Sequence, residues 1–320
     1  MWYLVVLEIG DKMVDLKLQF PEGFFDGETR CGYYISPEMK KVWAVELDLL
    51  SEFIRVCKKN SLRFFADGGT MLGAVRHGGM IPWDDDIDLT MPRHDYEILC
   101  KIASKEFVQP YFWQTEETDP TSRRGHAQLR NILTTGILEN ERNTGLCFNQ
   151  GIFIDIFPLD SIPDDFNQRK EFIEKITKAK YKSDKIASFT IGYSPAKKLW
   201  KRPIKYVVHK MFMILGVNYQ PSYNEWENMV KKESLGNTRF VSKLCFLPLE
   251  DDMVWNRSFY KSTILMPFEM LEIPVPIGYE NILRKFYGNW EEYVIGKSTH
   301  GDVFFDVNKP YTYYINKNDK

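Results

Sequence analysis

The chain has 320 residues, 44% apolar and 27% charged, enough to bury a sizeable core without staples. Its 42 basic and 44 acidic residues leave a net charge of −2, which gives no bulk attraction to nucleic acid and argues against a templated polymerase. The five cysteines (Cys31, Cys57, Cys100, Cys147 and Cys245) are scattered without a Cys-x-x-Cys pair, which argues against a zinc ribbon and fits reduced thiols in the cytoplasm.

The opening stretch alternates apolar and polar residues from Val5 to Phe20, which predicts a hairpin or edge strands. It lacks a basic n-region and does not read as a signal peptide. Ser36-Pro37 starts a helix expected to run to Asn60, with Val42, Val45, Leu49, Phe53 and Val56 on one face. A strand is expected over Leu62–Ala66, a short helix over Thr70–His77, and a strand over Trp83–Met91. A helix from Pro92 to about Lys105 follows, then strands near Tyr111–Gln114 and Ala127–Leu133. Gly151–Phe157 is an apolar strand interrupted by Asp155 and expected to end at Pro158. Beyond Asp164 the texture turns to charged, Lys-rich helices up to about Ser234, and the C-terminal part holds short strands and a helix near Tyr279–Tyr287. Strand and helix alternating in the first half imply an α/β (α+β) fold. Leu199–Val217 mixes Lys201, Arg202, Lys205 and Lys210 with apolar residues. An ordinary core-packed amphipathic helix explains it, and so does contact with an anionic membrane surface. No stretch reaches the roughly 18 uncharged apolar residues of a membrane span. The expected place is the cytoplasm, with peripheral contact at the inner face of the membrane.

The segment Asp67 to Met91 carries the chemistry. On a strand, Asp84, Asp86 and Asp88 would share one face and repel unless a cation sat among them, and hard oxygen ligands suit Mg²⁺ or Mn²⁺. Upstream, Gly68, Gly69 and Thr70 lie between a strand and a helix, where backbone N–H groups can cradle phosphate. A carboxylate row beside such a turn describes a nucleotide-phosphate site. Arg76 and Arg130 are candidate phosphate clamps, because guanidinium forks match phosphate oxygens. His77 and His126 lack a metal-type partner at helical spacing and read as ordinary histidines, and Trp83 reads as a packing anchor.

These residues resemble the signature of the LicD/fukutin-type families: Asp67-Gly-Gly-Thr-Met-Leu-Gly-Ala-Val-Arg-His77, then Ile81-Pro-Trp-Asp-Asp-Asp-Ile-Asp88. Asn149-Gln-Gly-Ile-Phe-Ile-Asp-Ile-Phe-Pro-Leu-Asp160 resembles the family's later strand, and Phe286-Tyr-Gly-Asn-Trp290 its Tyr-Gly element. The resemblance implies a nucleotidyltransferase-like mixed sheet with flanking helices. It divides the chain into a β extension (1–35), a catalytic core (36–160) and a mainly helical part (161–320) that completes the acceptor site. It also implies Gly68, Gly69 and Thr70 on donor phosphates, and Asp86, Asp88 and Asp155, with Asp84 as an addition, on Mg²⁺ or Mn²⁺. The implied reaction moves a phosphocholine-type group from a CDP-alcohol, CDP-choline foremost, to a hydroxyl of a glycan or lipid-linked glycan, with release of CMP. Choline would call for an aromatic cage.

Two other enzyme readings compete. Asp86-Ile-Asp-Leu-Thr90 fits the nucleophile motif of haloacid-dehalogenase-type phosphatases, but it leaves Gly68-Gly69-Thr70 unexplained. A glycosyltransferase with a metal-binding Asp-x-Asp has no use for Asp155. A scaffold that merely binds nucleotide would not need the intact acids and glycines.

Overall fold

A computed structural model describes residues 13–142, 148–191, 202–234, 236–249, 253–296 and 301–315. Residues 1–12, which include Val5 and the start of the expected N-terminal hairpin, and Cys147 lie outside the described residues. Residues 13–20 form no strand, because their amides are used elsewhere. Lys17 and Leu18 donate N–H bonds of 2.8 and 2.7 Å to Asp48 Oδ1, and Val14 donates to the Val307 carbonyl at 3.2 Å. The first strands among the described residues are β1 (Glu28–Arg30) and β2 (Tyr33–Ile35), an antiparallel hairpin.

Helix α1 (Pro37–Lys59) begins as its sequence demands: the Ser36 hydroxyl accepts the Met39 N–H at 3.2 Å, with Pro37 in the first turn. Its apolar face is fully buried, and so are Glu46, Asp48 and Glu52, because the helix is covered nearly all round. β3 (Phe65–Ala66), α2 (Gly68–His77), β4 (Asp88–Pro92) and α3 (Arg93–Glu106) follow, then β5 (Tyr111–Gln114), β6 (Ala127–Asn131) and β7 (Thr135–Leu138). β8 (Ile152–Ile162) is longer than expected and runs straight through Pro158. Its neighbours explain this. β6 pairs with β8 as far as Ile156, whereas β9 (Phe240–Ser242) pairs with it only from Asp160. The proline falls in the gap, where the ladder asks for no N–H on that side.

Between β8 and β9 run α4 (Phe166–Thr190), α5 (Arg202–Ile214) and α6 (Gln220–Glu233). α4 and α6 share a second apolar cluster around Ile176, Tyr223, Trp226 and Val230. The chain finishes with β10 (Trp255–Asn256), the hairpin β11 (Thr263–Phe268) and β12 (Leu271–Pro276), α7 (Tyr279–Tyr287), β13 (Val303–Asp306) and α8 (Thr312–Ile315). β13 pairs back onto β7.

The central sheet is ordered β10–β9–β8–β4–β3, with β6 also on β8 and β5 on β6. β4 and β8 are parallel and the other pairs antiparallel, so the fold is a mixed α/β arrangement. No helix among the described residues is long and apolar enough to cross a membrane.

A buried carboxylate that also accepts the Tyr111 hydroxyl at 2.7 Å makes Asp48 the anchor of the N-terminal segment. Asp48→Ala strands two amides and a phenol, and should lower stability by about 3 kcal/mol, given roughly 1.5–3 kcal/mol per hydrogen bond to a charged group. Urea unfolding measures the loss, and limited proteolysis should cut first within residues 13–27.

Candidate active site

α2 begins directly where β3 ends. Asp67 holds the N-cap position in an extended conformation (φ −128°, ψ 163°), yet its side chain does not cap the helix. It forms a buried ion pair with Lys243 instead. Gly68 follows in the left-handed region at φ +47°, which an L side chain resists. A Cβ on Gly68 would lie 3.3 Å from Asp88 Oδ2, and one on Gly69 would lie 2.5 Å from Asp84 Oδ2. The two glycines therefore make room for carboxylates at the first turn of α2, where unpaired N–H groups and the helix dipole favour negative charge. Thr70 is buried, and its hydroxyl accepts the Asp88 N–H at 2.8 Å, tying the start of β4 to α2.

The acidic run is not one strand. β4 begins only at Asp88, and Asp84 to Ile87 lead into it as irregular chain. A turn from Ile81 to Asp84 (N–H to carbonyl, 2.9 Å) and a 2.9 Å bond from Trp43 Nε1 to the Asp84 carbonyl hold this stretch off the ladder. The expected alternation of Asp84, Asp86 and Asp88 on one strand face is thereby corrected. Thr90 of the phosphatase-like motif is buried and donates its hydroxyl to the Phe157 carbonyl at 3.1 Å. Trp83 packs edge-on against Tyr33 and His77, each at 6.1 Å.

Asp155 stands where strand alternation needs it. β4 and β8 pair in parallel with Asp88 opposite Asp155, so both side chains leave the same face of the sheet. Asp155 Oδ1 is held by Gln128 Nε2 at 2.7 Å and His126 Nε2 at 3.0 Å. Burial works to raise the Asp155 carboxyl, but His126, then Arg124 and Gln128, outweigh it and hold the group below the usual carboxylate range. Asp88 goes the other way. Withdrawal from water, then the charges of Asp86, Asp155 and Asp67, push it well above the usual range, while Lys243 pulls it down.

The two arginines do other things. Arg76 lies in the last turn of α2, about 10 Å along the axis from the glycines at 1.5 Å per residue. It donates to the Trp290 and Glu292 carbonyls at 3.0 and 2.6 Å, stacks on Tyr293, and so grips the segment after α7. Arg130 is buried, bonded to Gln114 Oε1 and the Gly151 carbonyl at 2.6 Å each and to Gln128 Oε1. Its guanidinium faces Gln128 within the sheet and orients the amide that holds Asp155. Neither arginine is placed as a direct phosphate clamp.

Two contributors come from the far end of the chain. Lys243, just past β9, is buried with its ammonium 5.2–5.6 Å from the rings of Phe157, Trp255, Phe246 and Phe286. That cage is filled by the chain's own cation. Tyr287, at the end of α7, brings its hydroxyl to 4.0 Å from where a Cβ on Gly68 would stand, and its phenol is pushed upward by burial and then by Asp67, Asp84, Asp88 and Asp86. The signal for Lys243 is a lone cation inside the apolar run Phe240–Leu247, and Tyr287 belongs to the Tyr-Gly element whose role the sequence left unassigned.

Among the described residues no three Asp, Glu, His or Cys side chains converge as a closed metal cage. The crowding of Asp86 and Asp155 around Asp88 is the feature a cation would relieve.

Residues 61–190, which hold the glycine turn and the Asp88–Asp155 pair, match the family described as LicD/FKTN/FKRP, nucleotidyltransferase domain. The chain's relatives include the lipopolysaccharide cholinephosphotransferase LicD of Haemophilus influenzae, 25% identical over 252 residues that span 76% of this chain and 88% of that protein. An uncharacterised protein of Rickettsia prowazekii is 30% identical over 118 residues, 37% of this chain and 40% of that one. The human ribitol 5-phosphate transferase FKRP is 47% identical over 36 residues, 11% of this chain and 7% of its own length.

Lys243→Met leaves the Asp67 carboxylate buried and unpaired, and should cost about 3–5 kcal/mol of stability. Chemical denaturation checks it, and adding Asp67→Asn to the same chain should return part of the loss.

Proposed function

We propose that this chain is a metal-dependent transferase that moves a phosphocholine-type group from a CDP-alcohol donor, CDP-choline foremost, to a hydroxyl of a glycan or lipid-linked glycan, releasing CMP. One observation carries the reading: Asp88 and Asp155 leave the same face of the sheet beside the Gly68–Gly69 turn. The relatives add the class of group transferred, since one is named for cholinephosphate transfer and another for ribitol 5-phosphate transfer.

In this reading Asp88 and Asp155, which share one face of the sheet, would hold Mg²⁺ or Mn²⁺, and Asp86 and Asp84 would add negative charge at the rim. The cation supplies neutralisation of charge on the transferred and leaving phosphates. The N-terminal amides of α2 at Gly68 and Gly69 face the donor phosphates. The acceptor hydroxyl attacks the phosphorus that bears the alcohol, the bond from that phosphorus to the CMP oxygen breaks, and CMP leaves with the electron pair. Asp155 takes the acceptor proton. His126 and Gln128 aim its carboxylate, and Arg130 fixes Gln128. Residues 36–160 supply these groups, and the part after 160 completes the acceptor site, while its Tyr287 stands beside the Gly68 turn and its Lys243 answers Asp67.

The purified chain with CDP-choline, Mg²⁺ and a glycan acceptor should release CMP, measured by chromatography. Chelation should stop the release. Asp88→Asn should lower kcat/KM by at least about a thousandfold, because neutralising developing charge is the largest part of such catalysis. Arg76→Gln should keep most activity and lose stability instead. Inorganic phosphate as the product would favour a phosphatase, and CMP release unchanged in Asp88→Asn would remove the reading.

A further inference from the structure

Helix α5 is turned inside out. Lys205, Val208, His209 and Phe212 recur at helical spacing and form the half-buried face packed on α4. His209 Nδ1 donates to the Phe189 carbonyl at 2.6 Å, the Phe212 ring lies 5.8 Å from that of Phe189, and the Lys205 ammonium sits over the same ring. The opposite face carries Ile204, Val207, Met211 and Ile214, continued by Leu215, and all of them are exposed, Ile214 to 83%. Tyr206, Val207, Lys210, Met211, Ile214 and Leu215 border a shallow apolar depression of about 360 Å³. A surface helix normally hides its apolar stripe and shows its charges. Here the aliphatic stripe faces outward, so an ordinary amphipathic helix with its apolar face on the core does not describe α5.

Charge names the occupant. Between Asp184 and Glu225 the chain has no acidic residue, yet it carries Lys197, Lys198, Lys201, Arg202, Lys205 and Lys210. The whole chain has a net charge of −2, so positive charge is concentrated in the stretch that contains this helix. A second copy of the same helix would set these cations against one another. An anionic lipid surface satisfies both features, since its headgroups pair with Lys and Arg while aliphatic side chains enter the headgroup–acyl boundary. We propose that α5 docks the protein on an anionic membrane surface, with Ile204, Val207, Met211 and Ile214 inserted and Lys210 at headgroup level. This inference rests on α5 alone and stands whether or not the transfer reaction is as proposed.

The test is flotation of the full chain with vesicles of phosphatidylcholine alone, or of phosphatidylcholine mixed with phosphatidylglycerol. The chain should float with the anionic vesicles and much less with the neutral ones, and added salt should release it. Ile214→Asp should weaken partition by about tenfold or more, as expected for withdrawing one large aliphatic side chain from lipid. Lys210→Glu should weaken it by at least about fivefold on the anionic vesicles only. Both positions are exposed, so the thermal melting of both variants should match the parent. No flotation with either vesicle overturns the proposal, and so does equal flotation with both. A concentration-dependent dimer that Ile214→Asp abolishes, without vesicle binding, would make the face a self-association surface and overturn it too.

Discussion

The structure is organised around a crowd of like charges. Asp86, Asp155 and Asp67 crowd Asp88 where α2, β4 and β8 begin or pass, and their charges raise the cost of ionising it. The surrounding architecture compensates. The first turn of α2 offers unpaired amides, and its glycines bring the backbone close to Asp84 and Asp88. Lys243 crosses from the far half of the chain to answer Asp67. His126 and Gln128 restrain Asp155 from the neighbouring strand. Asp88 is left pushed well above the usual carboxylate range, a crowding that the proposed cation would relieve.

The site is layered outward from Asp155. Gln128 touches it, Arg130 holds Gln128, and Gln114 on β5 receives Arg130, so strands well beyond β8 take part in aiming one carboxylate. A buried guanidinium is tolerated there because its donors meet a carbonyl and two amide oxygens, and its face lies on Phe153. Sheet rigidity is thereby converted into side-chain precision, which a loop-borne acid would lack.

What was legible in the sequence was what local chemistry decides. Ser36-Pro37 announces a helix start, and the start is found there. The position of Asp155 within an apolar strand identifies it as an acid needing a partner, and the parallel register sets Asp88 opposite it. What was illegible depended on groups distant along the chain. Trp43 pulls the acidic run off its ladder, so the pattern Asp84-Asp-Asp-Ile-Asp88 looks like a strand and is not one. Pro158 looks like a stop, but a change of neighbouring strands lets β8 continue. Arg76 and Arg130 have the right chemistry for phosphate, and tertiary contacts commit them elsewhere. Lys243 carries no motif at all.

The ion pair between Asp67 and Lys243 has a consequence for what counts as a unit. The stretch that matches the family, residues 61–190, contains Asp67 but not its counter-charge, and Asp160 but not Ser234, whose hydroxyl donates to it at 2.7 Å. It also lacks β9, which covers β8 beyond Pro158. Excised at those limits, the segment would expose a half-covered sheet edge and bury an unanswered carboxylate at the mouth of α2. Homology draws its boundary around the residues that recur, whereas folding draws it around the charges that must be neutralised. In this protein the second boundary is wider, and ribosomal synthesis reaches it only late: the acidic cleft stays electrostatically incomplete until Lys243 has emerged.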